Sequence, residues 1–212
     1  SYKFSKLENF NQFDFEPLIL SDGVIVFEKK GTIIRFNDNK KVVWKNNFYS
    51  KTEKKIHPTL SFAITDKNLL VADSIAKISN IDLQSGDLIW SKKSEYPFNS
   101  EIKIYKDKFF VVDFKNTLRC FYLKDGSECW NIKTEESFTV SNSKFSILIR
   151  DNLVIYNNSL GDITAIDISS GLIEWQLPTQ KSSIINETYS FNFSKLVSDG
   201  KSIYFSNNKN QF

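Results

Sequence analysis

Two cysteines and one histidine are the residues of this chain best suited to nucleophilic or metal chemistry. Cys120 and Cys129 lie nine residues apart, on opposite sides of a turn at 124–126, and His57 precedes Pro58. A thiol beside an imidazole can act as a nucleophile, and clusters of His and Cys bind metal ions. One His without a nucleophile in a strained turn forms no triad, and without companion ligands it forms no metal site. We therefore predict that His57 is an ordinary loop residue, and we expect no catalytic, metal or cofactor site.

The two cysteines allow two arrangements. If the turn centres between Lys124 and Asp125, Cys120 and Cys129 face each other, and a disulfide requires their Cα atoms to lie within about 7 Å. A glycine-bulged turn instead shifts the register by one residue and places them on opposite faces. Of the two, we expect the second, with separate and partly buried thiols; a disulfide is the alternative.

Asp82, Asp167 and the segment 51–55 carry charges that suggest a functional site. The two aspartates occupy the same position of a repeated hairpin, so we predict that they stabilise a turn. The basic segment (Lys-Thr-Glu-Lys-Lys) is predicted to be a solvated loop. Over the whole chain, 28 basic and 25 acidic residues are interleaved for a net charge of +3. That balance indicates no nucleic-acid binding.

Four evenly spaced tryptophans define the repeat that contains these residues. Trp44, Trp90, Trp130 and Trp175 are separated by 46, 40 and 45 residues, which matches the roughly 40–50 residues of a four-stranded propeller blade. Each tryptophan ends a hairpin. The hairpins carry Asp82 and Gly86, Asp167 and Gly171, and Tyr122 and Gly126 at equal distances before the tryptophan, whereas the first copy has Lys40 in place of the glycine.

An aspartate turn followed by a short apolar run recurs before each hairpin. An Asp side chain can bond to its own backbone in such a turn. The short runs of β-branched and aromatic residues that follow predict nearly buried strands. The turns are Ser21-Asp22-Gly23, Thr65-Asp66-Lys67, Lys106-Asp107-Lys108, Arg150-Asp151-Asn152 and Ser198-Asp199-Gly200.

Together these markers predict an all-β chain that forms a β-propeller of four-stranded antiparallel blades, with four complete units and a partial fifth. The predicted blades cover about 17–46, 58–92, 101–132, 144–177 and 194–212 of one incomplete domain, 1–212. A single blade cannot bury both of its apolar faces, so neighbouring blades must stack. We expect each tryptophan to pack between adjacent sheets and to donate its indole N–H to a backbone carbonyl.

The ends of the sequence predict further parts of the protein. The fifth unit stops at Phe212 before any docking tryptophan, so we expect the chain to be a fragment or to be completed by another chain. The sequence has no Met and no leader at Ser1, so we expect that the native start and any targeting segment are missing. No stretch approaches the roughly 18 apolar residues of a membrane helix.

The hairpins that end at Trp90 and Trp175 resemble the tryptophan-docking motif of the quinoprotein (PQQ-like) propeller superfamily, over roughly Pro17 to Phe212. Full members of this superfamily have seven or eight blades. They include quinone-dependent alcohol dehydrogenases, luminal sensor domains of stress-response kinases, and the BamB lipoproteins of the outer-membrane β-barrel assembly machinery. The BamB lipoproteins are the most similar group.

The resemblance also implies a function for the chain. It implies a non-catalytic, periplasmic scaffold at the outer membrane that docks to the barrel-inserting subunit, held by a lipid anchor absent from this chain. The alternatives are a fragment of a PQQ-dependent dehydrogenase and an extracytoplasmic sensor domain. Such dehydrogenases carry two adjacent cysteines against the quinone, whereas Cys120 and Cys129 are not adjacent.

The long segments between each tryptophan and the next blade are candidate interaction loops. Propeller loops present rigid platforms for partners, and exposed aromatic side chains beside lysines suit protein–protein contact. The alternative for each ring is that it packs beneath its own loop. The aromatic residues in these loops are Phe48, Tyr49, Tyr96, Phe98, Phe138, Tyr189 and Phe191.

Overall fold

The computed structural model of the protein describes residues 17–135, 144–179 and 194–206. Within these ranges the chain forms four sheets of four strands and one pair of strands, together with one short helix. Every sheet is built from consecutive strands in which all neighbours are antiparallel. The predicted all-β class is therefore confirmed, whereas the predicted blade limits remain predictions.

The fold divides into two compact units, one ending at Lys93 and the other beginning at Ser94. The first unit contains two sheets. Its elements are β1 (Leu18–Leu20), β2 (Gly23–Phe27), β3 (Ile33–Asn37), β4 (Val42–Asn46), α1 (Glu53–Ile56), β5 (Leu60–Ile64), β6 (Asn68–Asp73), β7 (Lys77–Asp82) and β8 (Leu88–Lys93).

The second unit contains two further sheets and the strand pair. Its first sheet comprises β9 (Lys103–Tyr105), β10 (Lys108–Val112), β11 (Thr117–Tyr122) and β12 (Glu128–Lys133). The second comprises β13 (Ile147–Arg150), β14 (Leu153–Asn157), β15 (Ile163–Asp167) and β16 (Ile173–Leu177), and the pair is β17 (Val197–Ser198) with β18 (Ile203–Tyr204).

Within each unit, a hydrophobic core lies between its two four-stranded sheets. In the first unit, Ile25 and Trp44 of one sheet share a buried cluster with Leu69 and Ile81 of the next. In the second unit, side chains of β10 and β11 pack in the same way against those of β14 and β15. Leu196, just before β17, is buried against β14 and β15. The strands β6, β10 and β14 are buried along almost their whole length, which agrees with their continuous apolar runs.

A β-bulge precedes every tryptophan, whereas the sequence predicted a register shift only in the hairpin of Cys120 and Cys129. In each final hairpin the register shifts by one residue, so that one residue before the tryptophan has no partner on the neighbouring strand. A bulge bends its strand and redirects the neighbouring side chains. The extra residues are Val43, Ile89, Cys129 and Glu174.

The loop prediction for segment 51–55 was partly wrong, because α1 forms one helical turn there. The Glu53 N–H donates to Ser50 Oγ at 3.2 Å, and Glu53 Oε2 accepts the Ser50 N–H at 2.8 Å. This reciprocal pair has the hydrogen-bond pattern of a capping box and lies just before α1, whose N-cap residue Thr52 makes no side-chain cap bond. Among the described residues, no helix has the length and apolar character needed to cross a membrane.

Candidate functional site

The repeated aspartates hold the turn of their own hairpin. Asp82 Oδ1 accepts the N–H groups of Gln84 and Ser85 at 2.9 and 2.8 Å. Asp167 Oδ1 does the same with Ser169 and Ser170 at 3.0 and 2.7 Å. These backbone bonds lower the pKa of both carboxyl groups, because they favour the ionised form. Each carboxylate is therefore engaged within its turn.

The glycine of each hairpin closes the same turn. Gly86 and Gly171 have φ of +77° and +73°, and each donates its N–H at 2.9 Å to the carbonyl of the aspartate four residues earlier. Gly126 makes the equivalent bond to Tyr122, where Tyr replaces the aspartate. Lys40 occupies the glycine position of the first hairpin and also adopts a positive φ of 58°. The Lys40 N–H donates to the Asn37 carbonyl, three residues earlier, at 2.9 Å. The positive φ therefore persists in this degenerate copy, whereas its turn is one residue shorter.

Trp44 and Trp130 each contact the glycine turn of the following sheet. The indole Nε1 of Trp44 donates to the Leu83 carbonyl at 3.0 Å, and a Cβ on Gly86 would lie 2.6 Å from the Trp44 ring. Trp130 repeats both contacts, with the Ile168 carbonyl at 3.1 Å and a Cβ on Gly171 at 2.7 Å from its ring. The tryptophan and the glycine therefore form one docking joint between two sheets.

The remaining docking residues differ in their surroundings. Trp175 is 39% exposed, whereas Trp44 is 7% exposed. Trp90 is half-buried on the last strand of the first unit, and Gly126 is buried on the first sheet of the second unit. For Trp90, Trp175 and Gly126 the docking role remains a prediction.

Arg35 reinforces the joint of Trp44 and was missed by the sequence reasoning. It pairs across the hairpin with Trp44 and is only 3% exposed. Its Nη1 donates to the same Leu83 carbonyl at 2.8 Å, and its Nη2 forms an ion pair with Asp22 at 2.7 Å. An arginine within the apolar run of β3 was the available signal, because a buried charge requires partners.

Cys120 and Cys129 lie on the same side of their hairpin as free thiols. Cys120 pairs with Trp130, and Cys129 is the extra residue of the bulge. Both side chains pack in the same apolar cluster. The prediction that a bulge would separate their faces was wrong, because the two residues of a bulge oppose a single residue of the partner strand. Burial raises the pKa of both thiols.

Tyr49 is buried and anchors the segment between the first two sheets. Its hydroxyl donates to Asp73 Oδ2 at 2.6 Å, and its ring occupies the space where a Cβ on Gly31 would stand. Lys77 Nζ lies 4.9 Å from the ring centroid and donates to the Phe48 carbonyl at 2.7 Å. Burial raises the pKa of Asp73, while the bond from Tyr49 opposes that shift. For Tyr49 the alternative of packing beneath the loop is therefore correct.

The other loop aromatics fall into three groups. Phe98 is buried and forms a β-bridge with Asp113, so it also packs beneath its loop. Phe48 is partly buried against the core of the first unit, and Tyr96 is half-buried. The last group lies outside the described residues and comprises Phe138, Tyr189 and Phe191.

An exposed aromatic and basic surface adjoins Tyr96. Phe114 is 38% exposed at the tip of the β10–β11 turn, and its N–H donates to the Pro97 carbonyl at 3.0 Å. Lys115 Nζ lies 5.9 Å from the centroid of the Tyr96 ring. Asp113 Oδ1 fixes the turn by accepting the N–H of Lys115 at 2.8 Å. We call Tyr96, Phe114 and Lys115 the Tyr96 patch; its tyrosine was predicted from the sequence as a candidate contact residue, and its phenylalanine was not.

His57 and the acidic residues form no metal site within the described ranges. His57 follows α1 as its C-cap residue with a φ of +56°, and its Nδ1 lies 3.3 Å from the Lys29 carbonyl. No group of three His, Cys, Asp or Glu side chains in residues 17–135, 144–179 and 194–206 has a metal-binding arrangement. In the first unit, Ile56 next to His57 is 63% exposed.

Solved structures share this fold. The crystal structure of BamB from Moraxella catarrhalis superposes with a TM-score of 0.64 at 17% identity, covering 92% of this chain and 61% of that chain. The computationally designed protein Ika8 superposes with a TM-score of 0.71 at 12% identity, covering 92% of this chain and 55% of its own. The chain thus spans about three-fifths of the length of that BamB, and both likenesses describe the fold alone.

The family comparison covers almost the whole repeat. No curated protein sequence matches the chain. The family model described as "Outer membrane protein assembly factor BamB" matches residues 23–212. With four consecutive four-stranded antiparallel sheets and a structural likeness to a BamB, the chain belongs to the BamB family of PQQ-like β-propellers.

Proposed function

We propose that this protein is a non-catalytic scaffold for protein–protein interaction that assists the assembly of outer-membrane β-barrel proteins from the periplasmic side. Family membership supports this function. The observation that carries it is the use of the repeated polar residues. The carboxylates of Asp82 and Asp167 and the indoles of Trp44 and Trp130 are engaged by turns and docking joints. We therefore propose that partner proteins bind exposed side chains outside these turns and docking joints.

The Tyr96 patch is the proposed contact surface of the second unit. Its turn is held by Asp113 and by the bond from Phe114 to Pro97, so little conformational entropy is lost when a partner binds. Tyr and Phe supply apolar contact area, and a lysine over a tyrosine ring adds charge at the rim. These properties suit a protein partner, which we propose is the barrel-inserting subunit of the assembly machinery.

A binding measurement with purified components tests this proposal. The probe is the periplasmic part of the barrel-inserting subunit from the same organism, titrated against the full chain. We expect Phe114→Ser and Tyr96→Ala each to weaken binding by about tenfold or more, as truncation of a contact aromatic does.

The matched control is Leu172→Ser. Leu172 is also an exposed apolar residue of the second unit, at 66% exposure. It lies in the β15–β16 turn, whereas Phe114 lies in the β10–β11 turn of the other sheet. We expect it to bind as the unaltered chain does. Absence of binding by the unaltered chain would contradict the proposed function, and a loss confined to Leu172→Ser would contradict the proposed surface.

A further inference from the structure

We propose that Cys120 and Cys129 are a disulfide-forming pair that links β11 to β12 in the hairpin that carries Trp130. The chain contains only these two cysteines, so each has one possible intramolecular partner. Nine residues apart in sequence, they are brought together by the hairpin and its bulge.

The bulge supplies the required geometry. Cys120 is the direct partner of Trp130, and Cys129 is the extra residue immediately before that tryptophan. Both side chains therefore point to the side of the sheet where Phe110 and Val154 form the core. Cys120 lies opposite the two-residue bulge that contains Cys129, and both side chains pack against the same apolar cluster, so a bond between them requires no change of register.

The unequal exposure of the two thiols sets the order of the reaction. Cys120 is fully buried, whereas Cys129 is half-buried. The Cys129 thiolate attacks the sulfur of a disulfide oxidant, and the oxidant releases its first thiol. Cys120, after losing its proton, then attacks Cys129 Sγ and displaces the second thiol. The two protein thiols lose two protons and two electrons, and the oxidant disulfide becomes two thiols.

The bond would tie together the two strands that position Trp130 on the Gly171 turn. The proposal that the two thiols can form a disulfide rests only on their positions in the bulged hairpin. Its use in the cell rests on the proposed periplasmic location, because disulfides persist in oxidising compartments. Separate experiments therefore test whether the bond can form and whether it is present in the cell.

The first experiment oxidises the folded chain with glutathione disulfide after removal of reductant. Trypsin cuts after Lys124, between the cysteines, so a bond would join peptide 120–124 to peptide 125–133. We expect this linked pair, an intact mass lower by two hydrogen atoms, and a monomer on a non-reducing gel. Closing the short loop should raise the unfolding temperature by about 5–10 °C.

Single variants control for other thiol reactions. Cys120→Ser should leave Cys129 able to take one glutathione, and Cys129→Ser should leave the buried Cys120 largely unmodified. The proposal is overturned if the unaltered chain keeps two free thiols, takes two glutathiones, or forms a disulfide-linked dimer. If the bond forms in the purified chain, but protein from cells blocked with a thiol reagent has both thiols free, the periplasmic location is contradicted instead.

Discussion

The indole of Trp130 occupies the space that a side chain at Gly171 would need: a Cβ there would lie 2.7 Å from Trp130 Cγ. Trp44 and Gly86 have the same relationship in the first unit. One residue of each joint comes from the last strand of a sheet, and the other comes from the last turn of the next sheet. The glycine therefore serves both the turn and the packing of the neighbouring sheet.

Gly171→Ala should destabilise the protein more than Gly200→Ala. Both glycines have a positive φ, which costs an L-residue about 1–2 kcal/mol, but a Cβ on Gly200 meets no atom within 4 Å. The collision with Trp130 should add about 1–3 kcal/mol at Gly171 alone. Chemical denaturation measures both free energies of unfolding, and equal losses would show that the ring and the glycine do not depend on each other.

Trp44→Ala should reduce the free energy of unfolding by about 3–5 kcal/mol, as removal of a buried aromatic side chain does. Trp44 is 7% exposed and donates to the Leu83 carbonyl, whereas Trp175 is 39% exposed. Trp175→Ala should therefore cost only about 1–2 kcal/mol. A larger loss for Trp175→Ala in the same denaturant titration would contradict this order.

Asp167→Ala should destabilise the chain at neutral pH and have little effect in strong acid. The turn bonds lower the pKa of Asp167 in the folded state. The stabilisation from its carboxylate is therefore present above the ordinary aspartate pKa of about 3.9, and it is lost as the pH falls through the lowered value. Unfolding temperatures of the two proteins should converge in acid.

Asp167→Asn is the control for that pH dependence. Asparagine keeps an oxygen that accepts the N–H groups of Ser169 and Ser170 but has no carboxyl proton to titrate. It should retain part of the stability and show less dependence on pH. Parallel pH profiles for the unaltered chain and Asp167→Asn would mean that the carboxyl group does not act through its ionisation.

Tyr49→Phe should cost about 1–2 kcal/mol of unfolding free energy, because it leaves a buried Asp73 oxygen without its donor. The loss should be greater at neutral pH than in acid, since removing that donor raises the pKa of Asp73 further and penalises its ionised form. The matched control is Tyr204→Phe, which removes a similar bond to Asp199 at an exposed site. That variant should change stability by less than about 0.5 kcal/mol.

The sequence predicts the docking residues because their types recur at fixed spacing. Trp44 and Trp130, with Gly86 and Gly171, are recognisable by comparing the repeat with itself. The same comparison predicts the strands, since the turn residues and the apolar runs recur in the same order in each repeat.

Features that depend on contacts between distant residues were not predictable. The burial of Tyr49 depends on the absence of a side chain at Gly31, in another turn. Arg35 Nη1 donates to a carbonyl 48 residues later in the chain. The glycine turn predicted a register shift in the Cys120–Cys129 hairpin, but not that the bulge would place both thiols on one face. The helix at Glu53 did have a signal, the Ser50–Glu53 capping box.

Site-specific photocrosslinking in the native cell tests the scaffold function most directly. A photoreactive amino acid replaces Phe114 in one strain and Leu172 in another, and crosslinked products are identified by mass spectrometry. We expect a crosslink from position 114 to the barrel-inserting subunit and none from position 172. A crosslink to that subunit from position 172 alone, or none from either position while the protein is present, would contradict it.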